Sequence, residues 1–207
     1  MTAAPQANRP IRLLIIGPQG SGKGTQGIRI AQAFGIPAIS TGDVFRGAVA
    51  AGSELGQQVK AVIEAGDLVP DELTSAVVRD RLSHADAESA GFLLDGYPRN
   101  LAQVRDLDAF LEGRDEELDA VIELSVPRDE SIARLSLRAK EQGRTDDTEE
   151  VIANRLAIYE RETAPIIGVY HARGIVEEID GIGSLDEITE RVIASLERRG
   201  LIRSAAA

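Results

Sequence analysis

The chain has 207 residues, of which 43% are hydrophobic and 28% charged, and its formal net charge at pH 7 is -11. These values are ordinary for a globular protein, and the length favours one domain with small insertions. The negative charge argues against general binding to nucleic acid or to anionic membranes, since both need a positive surface. No apolar run approaches the roughly 18–20 residues of a membrane span, and the polar N-terminus lacks the apolar segment of a secretory signal.

The chain contains no cysteine, which excludes disulfides, a thiolate nucleophile and a cysteine-ligated zinc ion. This composition is typical of a cytoplasmic protein, and we expect that location. His84 and His171 lie far apart in the sequence without the spacing of metal ligands. We therefore interpret both histidines as surface residues of helices.

Short apolar runs alternate with amphipathic segments along the chain. The first run, Ile11–Ile16, leads into a glycine-rich turn and a helical pattern from Gly22 to Phe34. Further strands are predicted at 92–94, 120–126 and 175–179. Further helices are predicted near 71–85, 100–112, 128–140, 148–171 and 184–199. The alternation predicts an α/β fold in which a parallel sheet is covered by helices on both faces.

Two segments interrupt this alternation. Residues 40–69 hold helical patterns broken at Gly52 and Gly66, without a strand signal, and residues 138–147 are short, charged and contain a glycine. Ligands of an open α/β sheet bind beyond the carboxyl ends of its strands, so segments inserted there are natural lids. We expect a tail at 1–10 and a single domain at 11–203, with its core formed by 11–39, 70–137 and 148–203.

Residues 17–25 (GPQGSGKGT) directly follow the first strand. They match the first seven positions of G-x-x-x-x-G-K-[ST], with Gly24 where serine or threonine is usual and Thr25 one step later. Glycines let successive N–H groups face phosphate oxygens, and the following helix adds the positive end of its dipole. Because Lys23 supplies a mobile positive charge, we predict that the loop binds the phosphates of a nucleotide through Gly20, Ser21, Gly22, Lys23, Gly24 and Thr25.

The form G-x-x-G-x-G-K-G-T resembles the phosphate loop of the adenylate kinase family, and further matches follow in order. Residues 40–43 (STGD) with Arg46 resemble the start of the family's monophosphate-binding segment. Residues 66–70 (GDLVP) resemble its end. The resemblance covers roughly residues 11–200.

Residues 95–99 (DGYPR) resemble the signature sequence of the family, and Gln103 follows them. The family more often has phenylalanine at the position of Tyr97. Four further features resemble the lid of the family and its flanks: Arg134, Arg138, residues 143–147 (GRTDD) and Arg155.

The resemblance implies a P-loop NTPase-type sheet with a helical AMP-binding insertion at 40–69 and a short lid at 138–147. It implies a monomeric nucleoside monophosphate kinase that carries out ATP + AMP = 2 ADP with Mg²⁺. Many bacterial relatives carry a longer lid, sometimes pinned by four zinc-binding cysteines. This chain has neither feature, so no zinc is expected. ATP, AMP and ADP are the expected partners, without nucleic acid or membrane.

Phosphoryl transfer needs alignment and positive charge around the moving group. By resemblance, Arg46 and Arg99 hold the AMP phosphate, Arg138 reaches the ATP phosphates, and Arg144 and Arg155 clamp the transferring group. No strong base is expected, because the acceptor is already a phosphate dianion. The alternative for each arginine, foremost for Arg134, is a solvated helix face with salt bridges. The expected catalytic residues are Lys23, Arg99, Arg138, Arg144 and Arg155.

Asp95 follows the apolar run at 92–94, where a carboxylate would reach Mg²⁺ directly or through water. The alternative is a helix cap. Asp43 is either a second outer-shell partner of the metal or the cap of the helix after Thr41. The ATP adenine is expected between Arg134 and the backbone near Gly183, a contact with little base specificity.

Two positions favour AMP as the acceptor. UMP/CMP kinases usually have alanine in place of Thr41 and asparagine in place of Gln103, whose amide can pair with the adenine edge. The alternative is that Gln103 is an incidental amide on a helix surface. The full set expected to bind AMP is Thr41, Arg46, Asp67, Leu68, Val69, Gly96, Tyr97, Pro98, Arg99, Gln103, Arg144 and Arg155.

Three other functions stay open from the sequence. One is a UMP/CMP kinase, and another is a P-loop ATPase switch in which ATP binding changes a partner interaction. The acceptor-side arginines argue against the switch, because a switch needs no clamp for a second phosphate. The third is a catalytically inactive relative, although every charged position of the motif set is present.

Overall fold

The computed structural model describes residues 9–142 and 148–203, and for residues 141 and 142 it describes only the backbone. Its centre is a five-stranded parallel sheet in the order β2-β3-β1-β4-β5. The strands are β1 (Ile11–Ile16), β2 (Ala38–Ser40), β3 (Gly91–Asp95), β4 (Ala120–Ser125) and β5 (Val176–Asp180). The predicted parallel sheet is confirmed.

Helices follow each strand and cover both faces of the sheet. A π-helical turn, Tyr159–Thr163, joins α8 to α9. None of the helices in the described ranges combines the length and the apolar character needed to cross a membrane. The helices are α1 (Lys23–Phe34), α2 (Thr41–Ala50), α3 (Glu54–Ala65), α4 (Asp71–Leu82), α5 (Ala85–Ala90), α6 (Leu101–Glu112), α7 (Arg128–Gln142), α8 (Glu149–Ile158), α9 (Ala164–Ala172) and α10 (Leu185–Arg198).

The central strand β1 has a nearly unbroken apolar sequence because it is covered by helices on both faces. Its six side chains are buried, and successive side chains of a strand point to opposite faces. Leu13 and Ile15 belong to the cluster on one face, with residues of α1 and α10. Leu14 and Ile16 belong to the cluster on the other face, with residues of α6 and α9. The phosphate loop therefore starts from a strand fixed on both sides.

Residues 40–69 fold mainly as α2 and α3, with a small apolar cluster of their own around Phe45, Val59 and Val69. The two helices pack closely, since a side chain at Gly56 would meet the Ala48 carbonyl at 2.1 Å. Gly66, whose φ is 78°, caps the C-terminus of α3. The predicted helical patterns of this segment are confirmed, and the cluster is separate from the two clusters of the sheet.

Three local predictions were incomplete. β2 was missed, because three residues are too few to show a periodicity. The segment near 71–85 contains the whole of α4 and the first residue of α5, which extends to Ala90. The predicted helix at 148–171 is interrupted by the π-helical turn. Such turns are often found at functional sites, and this one reaches the candidate site described below.

Candidate active site

One cavity of about 1180 Å³ opens at the carboxyl ends of the strands. Pockets for a single small ligand usually measure about 300–1,000 Å³, so this cavity has room for more than one. The structure brings almost all of the predicted site residues to its lining: Gly20, Ser21, Gly22, Lys23, Gly24, Thr25, Thr41, Arg46, Asp67, Leu68, Val69, Asp95, Gly96, Arg99, Gln103, Arg134, Arg138, Arg155 and Gly183.

The loop between β1 and α1 has the geometry of a phosphate-binding loop. Gly22, in the left-handed region at φ 89°, directly precedes α1, whose first N–H groups have no partner inside the helix. A side chain at Gly20 would meet the Ser131 carbonyl at 2.5 Å, so the loop packs tightly on the start of α7. Lys23 Nζ donates a hydrogen bond to the Pro18 carbonyl at 3.2 Å. The lysine is thus folded back over its own loop.

The electrostatic surroundings of Lys23 locate the centre of the site. The pKa of Lys23 is lowered from 10.5 to about 8, mainly by burial and also by the charges of Arg99, Arg138 and Arg155, whereas Asp95 acts in the opposite direction. The four cations therefore lie close enough to repel one another. An anion such as a phosphate group would relieve this repulsion and favour the charged lysine.

Asp95 ends β3 and faces the start of α1, where its Oδ2 lies 3.5 Å from the position of a side chain at Gly24. Burial raises the pKa of Asp95, while Lys23 and Arg99 act in the opposite direction. The helix-cap alternative for Asp95 is wrong, because Asn100 caps the next helix, α6.

Asp43 does not cap α2 either, so that alternative for Asp43 is also wrong. The cap is Ser40, whose Oγ accepts the Asp43 N–H at 3.3 Å. The Asp43 carboxylate instead binds Arg46 at 2.5 Å. Asp43 and Arg46 both influence the pKa of Asp95, so this pair lies beside the metal-binding candidate.

Arg99 is fixed at three points. Its N–H donates to Gln103 Oε1 at 2.8 Å, its carbonyl accepts from the Thr163 hydroxyl at 2.8 Å, and its Nε donates to the Gly96 carbonyl at 2.7 Å. Burial lowers the pKa of Arg99, as do Arg155 and Arg46. The peptide bond between residues 97 and 98 is cis. Arg99 is therefore a pre-positioned cation in a site crowded with positive charge.

Gln103 is buried, with 1% of its surface exposed, so it is not an incidental amide on a helix surface. Its Nε2 donates to Asp71 Oδ1 at 2.7 Å, and its Oε1 accepts from Arg99 N–H. A carboxamide has two N–H groups and two lone pairs. One donor and one acceptor thus stay available, which is the pair that an adenine edge requires. Thr41, also buried, donates to the Gly96 carbonyl at 2.9 Å.

Arg134 forms a salt bridge on its own helix and also lies at the place expected for the ATP adenine. Its Nε forms a salt bridge with Glu130 at 2.6 Å, and one Nη donates to the Gly181 carbonyl at 3.1 Å. The second contact places the guanidinium beside the loop that contains Gly183. Arg138, four residues later on α7, lines the same cavity.

The lid flank α8 contacts the end of the 40–69 segment. Arg155 donates to the Ile63 carbonyl at 3.5 Å, and Asn154 donates to Asp67 Oδ1 at 2.9 Å. A side chain at Gly66 would lie 2.8 Å from Val151 of α8. The carboxylate of Asp67 is thus held by α8 while its residue lines the cavity.

Two predicted residues in the described part of the chain, Tyr97 and Pro98, are not among those that line the cavity. The side chain of Tyr97 is buried elsewhere, where its hydroxyl contacts Ser75 Oγ at 2.8 Å and Asp106 Oδ2 at 3.0 Å. The expectation that Tyr97 contributes to the AMP pocket is therefore wrong for its side chain, because the hydroxyl finds its partners in the core. For Pro98, binding of AMP stays a prediction. Arg144 lies outside the described residues.

Two residues of the site were missed by the sequence analysis. Asp71 accepts from both Gln103 and Asn100, the latter at 2.8 Å, and Thr163 holds the carbonyl of Arg99. Each acts on a residue far away in the sequence. Thr163 is the last residue of the π-helical turn, and we recognised no sequence signal for this turn.

Comparison with known proteins agrees with this geometry. The profile described as adenylate kinase matches residues 15–175. The adenylate kinase of Kocuria rhizophila is 56% identical over 90% of this chain and 99% of its own length. The adenylate kinase of Clavibacter michiganensis subsp. michiganensis is 56% identical over 92% of this chain and 94% of its own length. The adenylate kinase of Thermobifida fusca is 49% identical over 91% of this chain and 100% of its own length. The chain belongs to the adenylate kinase family.

Proposed function

We propose that this member of the adenylate kinase family transfers the terminal phosphoryl group of ATP to AMP, reversibly, to give two ADP. The observation that carries the proposal is a single large cavity with a phosphate loop and a buried Gln103 in its wall. Lys23 of the loop interacts electrostatically with Arg99, Arg138 and Arg155. Cations assigned to both substrates therefore surround one place, as direct transfer between two phosphates requires.

The donor is bound by the phosphate loop. The loop N–H groups and Lys23 contact the β and γ phosphates, and Arg138 adds a second cation. The adenine of ATP rests between Arg134 and the backbone near Gly183.

The acceptor is bound on the other side of the same charge cluster. Arg46 and Arg99 grip the AMP phosphate, and the free donor and acceptor of Gln103 pair with the adenine edge. Arg155, together with Arg144, clamps the transferring group. Thr41 and the backbone at 67–69 complete the pocket.

The reaction needs no general base. A phosphate oxygen of AMP attacks the γ phosphorus of ATP in line, and the β phosphate of ATP leaves as part of ADP. Fixed positive groups neutralise the charge spread over the moving group. Excluding water from the cavity prevents hydrolysis, since water would otherwise compete as acceptor.

Mg²⁺ fits the residues at the phosphate end of the cavity. Magnesium prefers oxygen ligands and usually uses one or two carboxylates together with substrate phosphates. Asp95 is a largely buried carboxylate beside the start of α1, and burial raises its pKa, so a cation there would favour its ionised form. Asp95 would hold the ion directly or through water. When bound, the ion neutralises part of the phosphate charge.

The proposal includes a monomer that works in the cytoplasm, as the family resemblance implies, with ATP, AMP and ADP as its small-molecule partners. A UMP/CMP kinase is the second candidate, because close relatives differ at few acceptor positions. Thr41 and Gln103 favour AMP over that alternative.

A coupled assay of ADP formed from ATP with AMP, CMP, UMP or GMP tests the proposal. We expect AMP to be the best acceptor. A preference for CMP or UMP would contradict the acceptor assignment. Hydrolysis of ATP that no monophosphate accelerates would instead indicate an ATPase switch.

A further inference from the structure

Three side chains outside the nucleotide cavity converge on one point. Glu123 lies on β4, Glu178 lies on β5, and His171 lies in the last turn of α9. The two glutamates are register partners on neighbouring strands. His171 Nε2 lies 3.8 Å from Glu123 Oε2 and 3.2 Å from Glu178 Oε1. Three atoms that can bind a metal therefore lie within 4.8 Å of one another.

The charges of this group are unbalanced. Carboxylates that face each other on neighbouring strands repel, so a cation between them would stabilise the pair. The adjacent residue Glu177 points to the other face of the sheet, where Arg199 binds it at 2.6 Å. In the described part of the chain, no arginine or lysine forms an ion pair with Glu123 or Glu178, and only His171 meets them.

The group is partly buried and open on one side. The side chain of Glu123 is 22% exposed and that of His171 is 45% exposed. Both line a cavity of about 490 Å³ whose walls include Pro18, Tyr159 and Ile167. This space would accommodate an ion together with one or more water molecules.

The donor set and its spacing suit a transition metal. Zn²⁺ binds imidazole and carboxylate at about 2.0–2.2 Å in a tetrahedral arrangement, which places neighbouring ligand atoms about 3.3 Å apart. The two distances from His171 Nε2, 3.8 and 3.2 Å, are near that value, and the two glutamate oxygens lie within 4.8 Å of each other, so side-chain adjustments would bring the three ligands together. Imidazole as a ligand favours zinc-like ions over Mg²⁺, which prefers oxygen and retains water.

We propose that Glu123, His171 and Glu178 form a binding site for one divalent transition-metal ion of the zinc type, separate from the nucleotide site. The ion would neutralise the two carboxylates and fasten the edge strand β5 to α9. The absence of cysteine excludes a cysteine-ligated zinc site, but these ligands lie on three separate elements and have no recognisable spacing in the sequence.

Calorimetric titration of nucleotide-free protein with ZnCl₂, in excess Mg²⁺ to occupy oxygen-only sites, tests the proposal. We expect one bound equivalent and a thermal midpoint that rises with zinc, because an ion bound only by the folded state stabilises it. His171→Ala and Glu123→Gln should each lower zinc affinity at least about 10- to 100-fold, since even outer-shell substitutions have effects of that size.

The matched control is His84→Ala, which removes the other histidine. His84 Nε2 lies 3.7 Å from Asp80 Oδ2, and among the described residues this pair belongs to no group of three metal ligands. Loss of His84 should therefore leave zinc affinity unchanged. Thermal unfolding in chelator checks that each variant folds. If a variant does not fold, Glu178→Gln takes its place, because the side chain of Glu178 is 68% exposed.

Two results would overturn the metal site. The first is zinc affinity that stays unchanged in both His171→Ala and Glu123→Gln, which would place the ion elsewhere. The second is a wild-type protein that binds no zinc in this titration, whatever the state of His171.

Discussion

The ATP side and the AMP side of the cavity are built in different ways. The ATP side is one continuous loop at residues 17–25, held between a strand buried on both faces and the helix that follows. The groups that it offers to phosphate are mainly backbone N–H groups. The AMP side is assembled from side chains on separate elements, including Thr41, Arg46 and Gln103, and hydrogen bonds hold these side chains in place.

The ATP side and the AMP side differ in what holds their binding groups in place. A backbone loop has its geometry as soon as its strand and helix form. Arg99 and Gln103, in contrast, depend on partners such as Asp71 and Thr163. We infer that the two sides respond differently to mutation, with donor binding decided by charge and acceptor binding decided by a hydrogen-bond network.

The largest expected effect comes from removing one cation from each side. Lys23→Ala and Arg99→Ala should each lower kcat/KM for ATP plus AMP by at least about 100-fold, because single cationic donors at phosphoryl-transfer sites contribute on the order of 10³ to 10⁵. Lys23→Ala should weaken ATP binding more, and Arg99→Ala should weaken AMP binding more. Steady-state kinetics with each substrate varied measures both effects.

Lys60→Ala and Arg161→Ala are the matched controls for this prediction. Their side chains are 60% and 66% exposed, and neither lines the cavity, so activity should stay near wild type. Thermal midpoints should change little in all four variants. Activity within about fivefold of wild type for Lys23→Ala or Arg99→Ala would contradict the assigned roles, given the contributions expected of such cations.

The sequence predicted most of the fold because its signals are local. The apolar run of β1 and the helical patterns of α2 and α3 each lie within one segment. β2 was missed because Ala38–Ser40 is too short for a periodic pattern. The π-helical turn was missed because it follows from packing between distant segments, which changes the hydrogen bonding of an otherwise continuous helix.

The site could be predicted to a similar extent and for the same reason. The phosphate loop is contiguous, so its residues were identified together, and they line the cavity. The partners of Gln103 and Arg99 lie on α4 and at the π-helical turn, and no sequence pattern links them. Tyr97 was misplaced because its position in a motif does not show which way its side chain points.

A change confined to the AMP side is expected to be smaller. Gln103→Ala should weaken AMP binding by about 5- to 150-fold, equivalent to roughly 1–3 kcal/mol for a buried polar edge left unpaired. ATP binding should stay nearly unchanged, because the phosphate loop is not touched. Calorimetric titration with each nucleotide measures the two affinities.

Gln57→Ala is the control, since Gln57 is an exposed glutamine whose Nε2 donates to the Gly52 carbonyl. It should alter neither affinity. Gln103→Ala also removes the hydrogen bonds to Arg99 and Asp71, so its thermal midpoint is measured alongside. Equal losses of ATP and AMP affinity would show that Gln103 is not specific to the acceptor pocket.

The smallest expected effect is a difference between ATP and AMP in the number of protons that the protein takes up on binding. Burial and three neighbouring arginines lower the pKa of Lys23 to about 8 in the free protein, so above that pH most Lys23 is neutral. Phosphates of ATP favour the charged form and raise this pKa again. Binding of ATP should therefore take up roughly half a proton near pH 8 and more near pH 9, and ATP affinity should fall by up to about tenfold per pH unit above pH 8.

AMP contacts the arginine side, where the guanidinium groups stay charged throughout this range, so AMP binding should take up fewer protons than ATP binding. Calorimetry in two buffers of different ionisation enthalpy gives the number of protons for each nucleotide. Lys23→Arg keeps the positive charge but does not titrate near pH 8, and should abolish the uptake with ATP. Equal uptake for ATP and AMP, or uptake that persists in Lys23→Arg, would mean that the titrating group is not Lys23 and that the two sides do not differ in this way.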